Sequence, residues 1–221
     1  MPDKITFANE IGNICKENGV DGHVVMDIVA KDTKLNLSPY YLKPGFAFGG
    51  SCLPKDVRGL TQIAKSLDLK TPLLSSLLKS NFYQVERGLE IIYNTKKKKI
   101  GFLGFACKSG TDDLRESPVV EVIETLIGKG YELNVYDSNV HLSSLLGKNK
   151  EYINSHIPHI YKLLKEDVNE VIENSDVLVI GNNAKEFSKI INTIPSDKTI
   201  IDLVRVDEKL TSKDNYIGIC W

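Results

Sequence analysis

The sequence predicts an α/β protein in which an all-helical unit is followed by a parallel α/β domain. Helical periodicity runs from the first residues to about Tyr93, apart from one loop. Beyond it, apolar runs of strand length alternate with helical patterns. The period changes at the run Lys96–Lys99, which places the boundary near residues 94–99 and the domains at 1–95 and 96–221. A length of 221 residues fits this, since a domain takes roughly 150.

The elements follow in order. Ile5, Ala8, Ile11, Gly12 and Cys15 fall at helical spacing, and Asn18-Gly19 ends that helix. A second amphipathic stretch carries Val24, Val25, Ile28 and Val29. An irregular stretch from Asp32 to Leu53 follows, with Pro39, Pro44, Gly45, Gly49 and Gly50. Pro54 opens a helix through Val57, Leu60, Ile63 and Ala64, and a long helical pattern runs from Pro72 to about Tyr93. In the second half, Ile100–Phe105 reads as a buried strand, Ser117–Gly130 as a helix and Tyr131–Tyr136 as a strand ending at Asp137. Asp176–Gly181 and Thr199–Val204 read as two more strands. Such alternation argues for a parallel sheet with helices on both faces.

Composition excludes several classes of function. Lys and Arg total 28 against 29 for Asp and Glu, a formal net charge of −1 that offers no broad attraction to nucleic acid or an anionic membrane. Lys96–Lys99 reads as a solvated strand entry. No apolar run approaches the roughly 20 residues of a membrane helix, and Met1-Pro2-Asp3-Lys4 lacks a signal-peptide pattern. Cys15, Cys52, Cys107 and Cys220 are widely spaced and form no CxxC pair. They read as reduced thiols in a cytoplasmic protein. No metal is expected: Pro158 interrupts helical placement of His156 and His159, no carboxylate or thiol partner is evident, and His23 and His141 are isolated.

The most informative segment is Gly45-Phe-Ala-Phe-Gly-Gly-Ser-Cys-Leu-Pro-Lys-Asp56. Its glycines permit close backbone approach to a ligand. Cys52 lies two residues before the helix-opening proline, where the positive end of the helix dipole and nearby Lys55 favour a thiolate, and a thiolate held this way is a candidate nucleophile. Asp56, one helical turn on, is placed to orient a water or a cation. The alternative is a buried cysteine beside a structural loop. The second segment, Lys108-Ser-Gly-Thr-Asp-Asp-Leu-Arg-Glu-Ser-Pro118, follows the first strand, where open α/β sheets bind ligands. Lys108 and Arg115 suit phosphate there, and Ser117-Pro118 starts a helix; alternatively Asp112 or Asp113 pairs with Arg115. Gly101-x-x-Gly104 is not a GxGxxG fingerprint, so nothing supports a nicotinamide site in this half. Tyr40 and Tyr41, beside Lys43, are placed either to line a ligand pocket or to pack.

Gly49-Gly-Ser-Cys-Leu-Pro-Lys-Asp56 resembles the nucleotide-sugar 6-dehydrogenases of the UDP-glucose/GDP-mannose dehydrogenase family. Asn36–Cys52, Gly110–Pro118 and the ending Gly218-Ile-Cys-Trp221 resemble its GDP-mannose branch more than its UDP-glucose branch. The likeness covers almost the whole chain. It implies a dimerisation domain in the helical half and a Rossmann-like nucleotide-sugar-binding domain after it. The implied reaction is two successive NAD-dependent oxidations of the C6 alcohol of GDP-mannose, giving GDP-mannuronate for an acidic polysaccharide. Cys52 matches the nucleophile that forms a thiohemiacetal and then a thioester, and Asp56 the aspartate of thioester hydrolysis. Tyr41, Leu42, Lys43 and Gly49 match the substrate loop, which Tyr40 joins, and Lys108 matches a phosphate-binding lysine. Lys55 and Arg115 match residues on the cofactor side. Cys107 departs from the family, which usually has Phe there. The resemblance implies a homodimer, and an NAD-binding GxGxxG domain that this sequence does not contain, so negligible turnover is expected of the chain alone. The rival readings are a UDP-glucose or UDP-N-acetyl-sugar dehydrogenase and a non-catalytic nucleotide-sugar-binding or dimerisation module.

Overall fold

A computed structural model describes residues 1–33, 38–39, 41–107, 110–140, 151, 153, 155, 157–213 and 215–221. The expectations for Tyr40, Lys108, His141 and His156 lie outside these residues.

The helical half contains α1 (Pro2–Glu17), α2 (Gly22–Ala30), α3 (Leu53–Ser66) and α4 (Pro72–Asn94). Proline opens α1, α3 and α4, because its missing N–H falls where a helix has no partner for it. Asp21 caps α2 by accepting from the His23 amide at 2.8 Å. Between α1 and α2, a Cβ on Gly22 would stand 2.8 Å from the Gly12 Cα, so the two helices cross at backbone contact. Ala8 and Met26 pack there with Leu42 of the following loop as a small core.

The second half is a five-stranded, all-parallel sheet of β1 (Lys99–Leu103), β2 (Glu132–Tyr136), β3 (Val177–Ile180), β4 (Thr199–Asp202) and β5 (Tyr216–Gly218), in the order β2-β1-β3-β4-β5. Phe102 stands between Val135 and Val179 in the register. Every residue of β3, and every residue of β1 after Lys99, is buried, as a sheet covered on both faces requires. The helix after β1, α5 (Pro118–Gly128), starts at Pro118, but Ser117 does not cap it through its side chain. Its hydroxyl instead donates to the Phe105 carbonyl at 2.7 Å, tying the end of β1 to the helix.

Periodicity did not reveal β5 or the short helices Ile160–Leu163, Val168–Glu173 and Lys185–Ile190. Elements of three to six residues are too short to show a repeat. The two halves share packing. Val85, Leu89 and Ile92 of α4 join the core of the sheet with Phe102, Ile123 and Leu126. The chain's last residues return to α1 and α2, where the Gly22 amide donates to the Cys220 carbonyl at 3.1 Å and Lys16 Nζ to the Trp221 carbonyl at 2.6 Å. No helix among the described residues is long and apolar enough to cross a membrane.

Candidate active site

In the order β2-β1-β3-β4-β5 the succession of strands across the sheet reverses between β1 and β3, and ligands of open α/β sheets bind outside the carboxyl ends of the strands at such a point. The loop from Tyr41 to Cys52 lies across that end. Between them is a cleft of about 590 Å³, with Tyr41, Lys43, Gly49 and Cys52 on the loop side and Ala106, Cys107, Gly181, Asn183 and Leu203–Arg205 on the sheet side.

The loop is irregular, so its buried backbone groups must find partners outside regular structure. Side-chain amides of α1 and α4 supply them. Asn9 accepts from the Gly45 amide at 2.9 Å and donates to the Phe46 carbonyl at 3.2 Å. Asn81 does the same for Phe48, accepting from its N–H and donating to its carbonyl at 2.8 Å each. Gln84 donates to the Gly45 carbonyl at 2.5 Å and accepts from Asn13 at 2.7 Å. Asn9 and Gln84 are buried, which makes these bonds costly to lose.

One glycine of this loop, Gly49, packs directly against the chain itself. A Cβ on Gly49 would stand 2.2 Å from the Glu116 carbonyl and 2.6 Å from Pro118 Cδ. Gly50, at φ +86°, donates its amide to that same carbonyl at 3.3 Å, and Glu116 is itself left-handed at φ +51°. Gly49 thus lines the cleft, as an approach to a ligand would need, but its lack of a side chain is also required by backbone packing.

Cys52 is the N-cap residue of α3, exposed, with Sγ 3.8 Å from Ser51 Oγ. It therefore stands at the positive end of that helix and opens on the cleft. The other thiols differ. Burial pushes Cys107 up to about 11 and Cys220 up to about 12, and Cys15 is buried. Lys55 faces Asp56, Nζ to Oδ1 at 3.8 Å, both exposed and neither lining the cleft. Asp56 stays one turn from Cys52, its amide donating to the Cys52 carbonyl at 2.9 Å. Leu42 is buried beneath the loop against Ala8 and Met26.

Arg115 is paired with a carboxylate of its own turn, the alternative raised by the sequence. Its Nε and Nη2 each bond Asp113 at 2.8 Å, because the turn between them brings the fork onto a carboxylate two residues away. That bond holds the Asp113 carboxyl below its usual range. At the end of β2, the position at which a dinucleotide sheet presents an acid to ribose is taken by buried Asp137. It accepts from the amides of Phe105 and Ala106 at 3.0 and 3.2 Å and from Asn182 at 3.0 Å. Asp137 therefore holds the sheet's own loops.

The sheet side also holds residues that sequence reasoning missed. Asp202, fully buried at the end of β4, accepts from Tyr216 Oη at 2.7 Å and from the amides of Val204 and Val206 at 2.9 and 2.8 Å. Burial still raises its carboxyl above the usual range. This loop brings Arg205 and Glu208 to the cleft beside His23. Asn9/Asn13 at i,i+4 and Asn81/Gln84 at i,i+3 were the available signal for the amide clamps, since each is a polar pair on one helix face. Arg205 and Glu208 had no such signal. Among the described residues no three His, Cys, Asp or Glu side chains gather as a metal would need, and His159 is paired with Glu124 at 2.5 Å.

Two sequence models match the chain: the central domain of the UDP-glucose/GDP-mannose dehydrogenase family over residues 2–83, and that family's UDP binding domain over residues 101–208. The GDP-mannose 6-dehydrogenase of Pseudomonas aeruginosa is 54% identical over 218 residues, 99% of this chain and 50% of that protein. UDP-glucose 6-dehydrogenase TuaD of Bacillus subtilis is 32% identical, over 91% of this chain and 43% of its own length. Among solved structures, a ternary complex of GDP-mannose dehydrogenase from Pseudomonas aeruginosa superposes with a TM-score of 0.79 at 54% identity, covering 99% of this chain and 50% of that one. A UDP-glucose dehydrogenase from Pyrobaculum islandicum superposes with a TM-score of 0.80 at 26% identity, over 100% and 48%. The chain spans about half the length of the curated relatives it matches. On the loop, the cleft and these matches, the chain belongs to the UDP-glucose/GDP-mannose dehydrogenase family.

Proposed function

We propose that the chain carries the nucleophile and the sugar-nucleotide site of a GDP-mannose 6-dehydrogenase, which oxidises GDP-mannose to GDP-mannuronate for an acidic polysaccharide. The observation that supports it most is the position of Cys52, an exposed thiol at a helix N-terminus opening on the cleft at the sheet's switch point. The 54% identity to a GDP-mannose 6-dehydrogenase favours that branch over the UDP-glucose branch, represented at 32%.

The described residues do not fit NAD. Asp137 is engaged by the sheet's own amides, and Lys55 and Arg115 face Asp56 and Asp113 outside the cleft. We expect negligible turnover by these 221 residues alone. Two steps belong to the chain's own residues. Cys52 Sγ adds to the C6 aldehyde carbon, forming the S–C bond while the carbonyl oxygen takes the thiol proton, which gives a thiohemiacetal. At the thioester stage, water adds to the carbonyl carbon and the S–C bond breaks, the water's proton passing to the departing Cys52 sulfur, which regenerates the thiol. Exposed Ile14, Val24, Ile28, Leu60, Ile63, Leu67 and Leu73 are confined to the helical half, which supports a homodimer formed there.

Calorimetric titration of the purified chain with GDP-mannose and UDP-glucose tests the reading. Saturable binding of GDP-mannose alone is expected. Binding of UDP-glucose alone moves the protein to the other branch, and binding of neither removes the sugar-nucleotide site.

A further inference from the structure

Among the described residues lining the cleft, Glu208 is the one carboxylate, in company with the cations Lys43 and Arg205. A nucleoside diphosphate is an anion, so a carboxylate in its site is repulsive unless it meets hydrogen-bond donors on the ligand. We infer that Glu208 is a specificity-determining residue that recognises guanine, its two oxygens accepting from the base N1–H and 2-amino groups. The inference rests on the reading of this cleft as a sugar-nucleotide site.

Placement along the cleft supports this. If the sugar's C6 is at Cys52, the base belongs at the other end of the ligand. Lys43 and Cys52 both line the cleft from the loop, nine residues apart, a spacing that permits up to about 30 Å between them. Glu208 reaches the Lys43 end, its Oε1 3.2 Å from Lys43 Nζ. Both side chains are more than half exposed, so the pair is weak and exchangeable. An incoming phosphate takes Lys43, and Glu208 is left to the base.

The carboxylate is free to turn, but its stem is held. Asp202 binds the amides of Val204 and Val206, and Arg205, left-handed at φ +55°, forks onto Asp21 while its Nη2 donates to the Glu208 carbonyl at 3.5 Å. The chemistry then chooses the base. Guanine presents two adjacent donors to two carboxylate oxygens, a bidentate match. Uracil presents one N–H flanked by carbonyls that repel a carboxylate, and hypoxanthine keeps N1–H but lacks the 2-amino group.

Titration of the purified chain and of Glu208→Gln with GDP, IDP and UDP tests it. Glu208 is exposed, so the variant keeps its fold, which circular dichroism checks. The wild-type chain should bind GDP about tenfold or more tighter than IDP, as the loss of half a bidentate contact implies. Glu208→Gln should bring GDP to the level of IDP, because its amide nitrogen faces a donor. A wild-type chain that binds GDP and IDP equally, or a variant that keeps the GDP preference, overturns the inference while leaving the sugar-nucleotide site standing. A wild-type chain that binds neither GDP nor GDP-mannose overturns the site reading and this inference together.

Discussion

Arg205 closes a fork on Asp21 across 184 residues of sequence, Nη1 to Oδ1 and Nη2 to Oδ2 at 2.7 Å each. The pair joins the β4 loop of one half to the cap of α2 in the other, and the guanidinium lies 5.3 Å from the Trp221 ring centroid. Burial alone would raise the Asp21 carboxyl, but bonds from Arg205 and the His23 amide hold it below its usual range. Asp21→Asn removes the charge and half the fork and should destabilise the chain by about 2 kcal/mol, read by urea denaturation. A change under about 0.5 kcal/mol, as at an ordinary surface site, would show that the fork does not hold the halves together.

Asn81 serves both backbone groups of Phe48, a residue only 8% exposed. Asn81→Ala leaves a buried N–H and carbonyl without partners, at a cost of about 2–3 kcal/mol. The segment leading to Cys52 should then exchange its amide hydrogens faster. Hydrogen exchange of residues 45–50 that stays as slow as in the wild-type chain would contradict the clamp.

Thiol reactivity is the third expectation. Cys52 is exposed at a helix N-terminus, whereas burial holds Cys107 and Cys220 protonated far above neutral pH and Cys15 is buried. Limited iodoacetamide at pH 7, read by peptide mass spectrometry, should label Cys52 at least tenfold faster than the other three. Equal labelling of all four would sink the nucleophile argument.

His23 makes stability depend on pH. Burial, with help from Arg205 and Lys43 and against Asp21 and Asp27, lowers it to about 4 from an ordinary value near 6.5. Below 6.5 the unfolded chain therefore binds a proton that the folded chain does not. The stability contributed by this neutral histidine is complete above pH 6.5, declines as pH falls, and levels off below about 4. His23→Gln should shrink the difference between melting temperatures at pH 7 and pH 5. An unchanged difference would place the acid sensitivity elsewhere.

Local pattern determined the longer elements and singled out Cys52. Pro54 and Pro72 marked helix starts, and the runs at Ile100 and Val177 marked strands, because proline geometry and the burial of a parallel strand act on residues near in sequence. The segment from Gly45 to Asp56 announced Cys52 in the same way. Tertiary structure alone decided the order β2-β1-β3-β4-β5 and the reason Gly49 bears no side chain. It alone brought Arg205 and Glu208 to Tyr41 and Lys43. Those residues lie more than 160 positions apart, as the 165-residue gap between Lys43 and Glu208 shows. Their meeting depends on strand order and on how the C-terminal tail packs against α1, and neither leaves a period or a motif in the chain.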